Sequence, residues 1–360
     1  MKQDVLDALS GKFPKKVPCK ESLNDPKIVT HVSGVDVWED TPRAFDVAWR
    51  KLGIDIHVTL PATNAPRPRV PGGTWVEGGK IYADIGVKPT SMPLEYAPGV
   101  DKSKEDWVFR YMVSRDEFDL PREIRNLNAQ NAAFRRHFGE HAVMYYLYYT
   151  TLFMWPVVTF GWEPFLVAAA TEPGRFDQQL WRPWAHISRK HFESLAAMRE
   201  EVVFCHDDLA MTTGPVFPPE FYEKYIFSQY EWIMEPVTRA HRKLVFVCDG
   251  NMDAFLDRLL KFPIAAIMFE NPATSFDRVL ETWGKAGRGF IGGISTAILS
   301  AGTPEQVREH TAEVIEKGRK YPGFVISSCG GLHGDIPLDN MLAYFETRDK
   351  MGIPADTSRG

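Results

Sequence analysis

The sequence predicts an α/β protein: one (β/α)8 TIM barrel with an N-terminal elaboration, a single domain over residues 1–360. Three observations carry that expectation. Apolar runs at residues 202–204, 244–247, 265–269, 290–294 and 324–326 read as strands buried on both faces. A helical stretch follows each run, and strand–helix alternation implies a parallel sheet. Each run also ends in a small polar cluster, and in such sheets the chemistry gathers at the carboxyl ends of the strands. The clusters are Cys205-His206-Asp207-Asp208, Cys248-Asp249-Gly250-Asn251, Glu270-Asn271, Ser295-Thr296 and Ser327-Ser328-Cys329.

Taken in chain order, residues 1–11 alternate charged and apolar groups as a short amphipathic helix. Pro14 and Pro18 mark an extended entry segment around Val17-Pro18-Cys19, too short to be assigned as a strand. Helices follow at residues 25–32 and 41–52, the second stopped by Gly53. Residues 54–58 alternate like a strand. Residues 61–105 are rich in proline and glycine and read as a long loop with a small antiparallel element at 74–85, with sheet character continuing at Tyr111-Met112-Val113. Loops of that length in a compact domain are often lids or binding loops. Residues 121–200 carry a helical signal with caps at Asp119 and Thr171 and a break at Gly161.

Within that stretch, residues 143–160 hold no charge and approach spanning length. Their tyrosines, threonines and Pro156 favour a buried helix leading into a barrel strand over a membrane span. The clearest units occupy residues 200–345. Helices are expected at 218–242, 252–262, 275–285, 303–320 and 337–351, the fourth opened by the capping box Thr303-Pro304-Glu305-Gln306.

Composition narrows the function. A hydrophobic fraction of 44% and a charged fraction of 25% are ordinary for a globular protein. A net charge of −5 gives no electrostatic reason to expect nucleic acid or an anionic membrane as partner. The four cysteines are far apart, which argues against a disulfide framework and for a reducing cytoplasm.

The strand-end residues are the site candidates. Asp249 precedes a Gly-Asn turn that lets backbone approach a ligand, or it stabilises that turn itself. Glu270 ends an apolar strand, where burial without a partner is costly. Asp207 and Asp208 are adjacent and face opposite sides, so one can reach the barrel mouth while the other caps a turn. His206 is either a ligand or proton carrier, or a hydrogen-bonded core residue. Cys329, before Gly330-Gly331, suits a thiolate ligand or is an inert buried thiol. Cys248 alternates away from Asp249 and belongs to packing. The aromatic cluster of Trp155, Phe160, Trp162 and Phe165 with Tyr145, Tyr146, Tyr148 and Tyr149 is either core or the wall of a pocket for a flat apolar ligand. Trp155, Trp162, Asn251 and His333 are the candidate substrate contacts.

The segments CHDDLAMTTGPVFPPEFYEKYIF, VFVCDGN, GTPEQVREHTAEVIEKG and SSCGGLHGDIPLDNM resemble the uroporphyrinogen decarboxylase superfamily, and within it the cobalamin- and folate-linked methyltransferase branch. ALSGKFPKKVP and AFDVAWRKLGIDI extend the resemblance to most of the chain. It implies a deep cleft at the strand carboxyl ends. The arginine-rich N-terminal signature of the porphyrin enzymes is missing, and Arg67 and Arg69 do not match it. The methyltransferase branch holds zinc on a His-x-Cys pair and a later Cys. Here Val247, Asp249 and Cys329 occupy those places, so Asp249, Cys329 and Glu270 form the implied metal set, with His206, Asp207 or His333 able to complete it. The resemblance implies methyl transfer from a small donor, such as a methoxyaromatic in an O-demethylase reaction, to cobalamin on a separate corrinoid protein or to tetrahydrofolate. Asp249, Glu270, Asp207 and His206 are its expected catalytic residues. A decarboxylase with its proton donor at Asp207 or Asp249 is the alternative, and a homodimer is the expected assembly.

Overall fold

The computed structural model describes residues 2–23, 25–57, 62–63, 74–77, 80–83, 100–104, 106–113, 119–138, 143–144, 147–148 and 151–352. Its parallel strands are β1 (Ile56–His57), β2 (Val143–Met144), β3 (Leu147–Tyr148), β4 (Val202–His206), β5 (Lys243–Cys248), β6 (Ala266–Phe269), β7 (Gly289–Gly293) and β8 (Phe324–Ser327). Pairing runs in that order from β3 to β8, parallel throughout. Ile326 of β8 then bridges to Cys19, and Lys20 bridges to Ile56 of β1. Finally β1 pairs with β2, which shares one stretch of chain with β3. The ladder thus closes on itself. With Cys19-Lys20 as one stave and β2 with β3 as another, the barrel has eight.

Alternation along each stave sorts the interior into two cores. Val202, Phe204, Val245, Val247, Ala266, Met268, Ile291, Val325 and Ile56 face inward and pack together in the lumen. Their neighbours Val203, Cys205, Leu244, Phe246, Cys248, Ile267, Phe269, Phe290, Phe324 and Ile326 face outward and pack against the helices. The amino-terminal helix Lys2–Ala8 adds Val5 and Ala8 to the lumen cluster and so plugs one end of it.

Local chemistry sets several helix limits. Helix Thr41–Leu52 starts where Asp40 accepts from the Arg43 amide and stops at left-handed Gly53. Helix Pro304–Gly318 opens with the full Thr303/Gln306 capping box. Other expectations need correction. Residues 143–144 and 147–148 form strand pairs first, and the helix Met154–Phe160 comes after them, the reverse of the order the sequence implied. Tyr111-Met112-Val113 is not a strand; it follows the 3-10 turn Trp107–Arg110, and Tyr111 packs edge-on against Phe160. The helix expected at 252–262 shrinks to Leu256–Leu259, because the Met252 amide donates to Thr274 and Asp253 accepts from the Ser275 amide. Among the described residues no helix is long and apolar enough to cross a membrane. The strands Thr74–Glu77 and Lys80–Ala83 pair antiparallel. Most of the surrounding proline- and glycine-rich loop, with Arg67 and Arg69, lies outside the described residues, as do Tyr145, Tyr146 and Tyr149.

Candidate active site

The lumen rows identify the site. Two residues beyond Phe204, Val247 and Met268, the same inward-facing rows arrive at His206, Asp249 and Glu270 on three adjacent staves. The lower lumen is apolar; these three stand at its carboxyl-end mouth. His206 Nε2 donates to Asp208 Oδ1 at 2.8 Å and lies 3.5 Å from Asp249 Oδ2. The Asp249 amide donates to the same Asp208 oxygen at 2.9 Å, which ties the β4 and β5 ends together. Gly250 allows this approach: a Cβ there would come within 1.8 Å of the Ala210 carbonyl oxygen.

The charges follow from this geometry. Burial disfavours the charged form of His206, but hydrogen bonds to and charges on Asp208 and Asp249 outweigh it and raise its pKa to about 10. The imidazole therefore carries its proton at neutral pH. Glu270 is pushed up to about 7, first by burial and then by Asp249 and Asp208, with His206 and Lys20 pulling the other way. It can hold or release a proton near neutrality. A loop packs against it: a Cβ at Gly330 would sit 3.2 Å from Glu270 Oε1 and 3.1 Å from the Thr296 hydroxyl.

Residues 187–351 match the family model for uroporphyrinogen decarboxylase (URO-D). A solved methyltransferase from Methanosarcina mazei shares the fold across 97% of this chain and 98% of its own, with a TM-score of 0.63 and 14% identity. An endo-β-1,4-xylanase from Gloeophyllum trabeum aligns over 71% of this chain and 84% of its own, with a TM-score of 0.42 and 11% identity. No curated protein matches by sequence.

Within this barrel, several expected site residues lie elsewhere. Asp207 turns away from the mouth and is fully buried. Its Oδ2 accepts from the Leu152 and Phe153 amides at 2.9 and 2.8 Å and from the Tyr230 hydroxyl at 2.6 Å, and its Oδ1 accepts from the Met154 amide at 2.8 Å. It anchors the turn into helix Met154–Phe160, and burial still raises it to about 6 against those four bonds. A carboxylate so enclosed faces the backbone of another segment and not the mouth, where its neighbour Asp208 stands instead.

Trp155 donates to Ser188 at 2.8 Å and stacks on Trp184, while Trp162 packs on Phe153 and Phe165. Both pack against the outer core, on the far side of the strands from the lumen mouth. Asn251 accepts from the Asp253 amide and donates its own amide to Met211, closing a turn. His333 lies on the loop beyond Cys329, its ring 3.7 Å from Asp335.

The implied metal set also changes. Among the described residues, one group offers three ligand atoms within 4.8 Å of one another: His206, Asp208 and Asp249. Of the implied Asp249, Cys329 and Glu270, only Asp249 belongs to it. Cys329 has left-handed backbone, φ 61°, and its Sγ turns into the lumen toward the Ile291 carbonyl at 3.5 Å. Burial pushes its thiol up to about 12, so it is not a thiolate at neutral pH.

Sequence reasoning missed Lys20, which is 1% exposed and lies on the stave assembled from isolated bridges. A proline-flanked entry segment gave no signal for it. Asp208 was available from the Asp-Asp pair, but adjacency alone does not say which member turns inward.

Proposed function

We propose that this chain is a URO-D-fold methyltransferase that takes a methyl group from a small donor at the mouth formed by His206, Asp208, Asp249 and Glu270 and delivers it to a corrinoid protein or tetrahydrofolate. The observation that carries this reading is the charge of the mouth. Three carboxylates crowd one imidazole on neighbouring staves, and a polycarboxylate porphyrin would meet repulsion there. The whole-chain likeness in fold to a methyltransferase supports the same reading.

Breaking a bond between a methyl carbon and oxygen or nitrogen leaves the heteroatom with the electron pair, and a proton must reach it. Glu270, poised near 7, is placed to supply that proton and to end as a carboxylate. Protonated His206 compensates the accumulating negative charge while Asp208 fixes its ring. The methyl carbon departs to the acceptor and the donor leaves as an alcohol, phenol or amine, so atoms and charge balance. A corrinoid or folate, when bound, supplies the nucleophile.

The His206 nitrogen and the Asp208 and Asp249 oxygens also fit a divalent cation such as zinc, whose preferred donors are of this kind. Bound there, it would supply Lewis-acid polarisation of the leaving heteroatom, and His206 would exchange its Nε2 proton for the metal.

The test incubates purified protein with methoxyaromatics, methanol and methylamines, reduced cobalamin or tetrahydrofolate, and zinc. At least one donor should yield its demethylated product. No turnover across the whole panel, with carbon dioxide release from a porphyrinogen instead, contradicts the reading.

A further inference from the structure

The Cys19-Lys20 stave brings a group into the barrel that the reaction above does not use. Partners in a parallel bridge face the same side of the sheet. Cys19 bridges to Ile326 of the outer core, whereas Lys20 bridges to Ile56 of the lumen. Lys20 therefore turns inward, and its side chain is almost wholly removed from solvent.

An ammonium has three N–H donors and is costly to bury without compensating charge. Among the described residues, Lys20 Nζ donates to Ser22 Oγ at 3.2 Å and forms no ion pair. The adjacent Glu21 is already engaged: it accepts from the Ser328 amide and hydroxyl and from the Tyr344 hydroxyl. Ring order places the Lys20 stave between β8 and β1, away from β4, β5 and β6, which carry the acidic cluster. Its field still reaches the mouth, because against the burial that raises both groups it draws Glu270 and Cys329 down. Among the described residues the lumen mouth thus has carboxylates on one side and, on the other, the Lys20 ammonium with unused donors beside buried Glu21, whose carboxyl its charge draws down against burial.

We propose that Lys20 is the anion-recognition residue of this mouth and that the donor is a small molecule carrying one carboxylate remote from its methyl group. This deepens the methyl-transfer reading and rests on it for the word donor. The carboxylate would accept the spare N–H bonds of Lys20, leaving the methylated end directed toward Glu270 and His206. One lysine suits one carboxylate, and further acids on the ligand would face Asp208 and Asp249.

Calorimetric binding tests this without any methyl acceptor. The probes are 4-methoxybenzoate against 4-methoxybenzamide, and acetate against acetamide, each pair alike in shape and different in charge. The wild type should bind the acid of at least one pair about tenfold more tightly than its amide. Lys20→Gln should bring that ratio close to one, and Lys20→Arg should keep it. Lys20→Met, which fills the same space without the charge, carries the same expectation should Lys20→Gln fail to fold. No preference for the acid in either pair, failure to bind either member included, overturns the proposal. So does a preference that survives Lys20→Gln or Lys20→Met. Turnover without acid preference sinks the role of Lys20 alone, whereas acid preference without turnover sinks methyl transfer alone.

Discussion

The two ends of the barrel lumen are built from the same strands and differ in almost everything else. At the amino-terminal end, Val202, Val245 and Ala266 close against Val5, Ala8 and Leu9 in a dry apolar plug. Farther along the same inward rows stand His206, Asp249 and Glu270. The lower rows release apolar surface from water and stabilise the fold. The upper row crowds ionisable groups where burial opposes their charge, and Glu270 is displaced toward neutrality as a result. Apolar packing and ionisable groups are therefore separated by position along a stave. Asp207 and Asp208 repeat the contrast in two consecutive residues, one locked into backbone amides and the other aimed at the mouth.

The sharpest way to break this separation is Asp207→Ala. It strands three buried amides and the Tyr230 hydroxyl, at an expected cost of about 4 kcal/mol in urea unfolding. A change below about 1 kcal/mol would return Asp207 to the list of free site residues. Met268→Ala in the lower lumen is expected to cost about 3 kcal/mol through the cavity it leaves, with turnover per folded molecule unchanged. Lost turnover at full stability would place chemistry in the plug.

Glu270→Gln moves the other way. The folded-state pKa of Glu270, about 7, lies above its ordinary 4.5, so folding favours the protonated form. Its penalty on stability is absent below about pH 4.5, grows as pH rises through 7, and is full above that. Because the carboxyl is only partly buried, screening reduces the effect, and Glu270→Gln should be more stable than wild type by about 1–2 kcal/mol at pH 8 and equal to it at pH 4. Equal stability at both pH values would contradict the assigned shift. Asp208→Asn should change stability by less than about 1 kcal/mol while lowering turnover at least about tenfold. The smallest signal is a proton. Since His206 is raised to about 10, zinc binding at pH 7.5 should release about one proton, read by calorimetry in buffers of different ionisation enthalpy. No release would remove His206 from the ligand set.

What was legible in the sequence was local. The five apolar runs, the Thr-Pro-Glu-Gln helix start and the Gly53 stop encode structure within a few residues, and strands β4 to β8 follow from the runs. The Cys19-Lys20 stave was illegible because isolated bridges hold it in the ring. The choice between Asp207 and Asp208 was hidden because the deciding amides, at residues 152–154, lie more than 50 positions away. Aromatic content likewise cannot separate a pocket wall from packing; the partners of Trp155, Ser188 and Trp184, lie on another helix. Cys329 has a strand-end position suited to a ligand, but its left-handed backbone and inward sulfur were not encoded in the adjacent glycines.

The central claim is that His206, Asp249 and Glu270 form one chemical centre independent of the plug beneath it. The most direct measurement follows methyl transfer and thermal unfolding together for the wild type, Asp249→Asn and Glu270→Gln. Turnover should fall about 100-fold in both variants, with melting temperatures unchanged or raised. Undiminished turnover, or losses that only follow loss of the folded state, would contradict it.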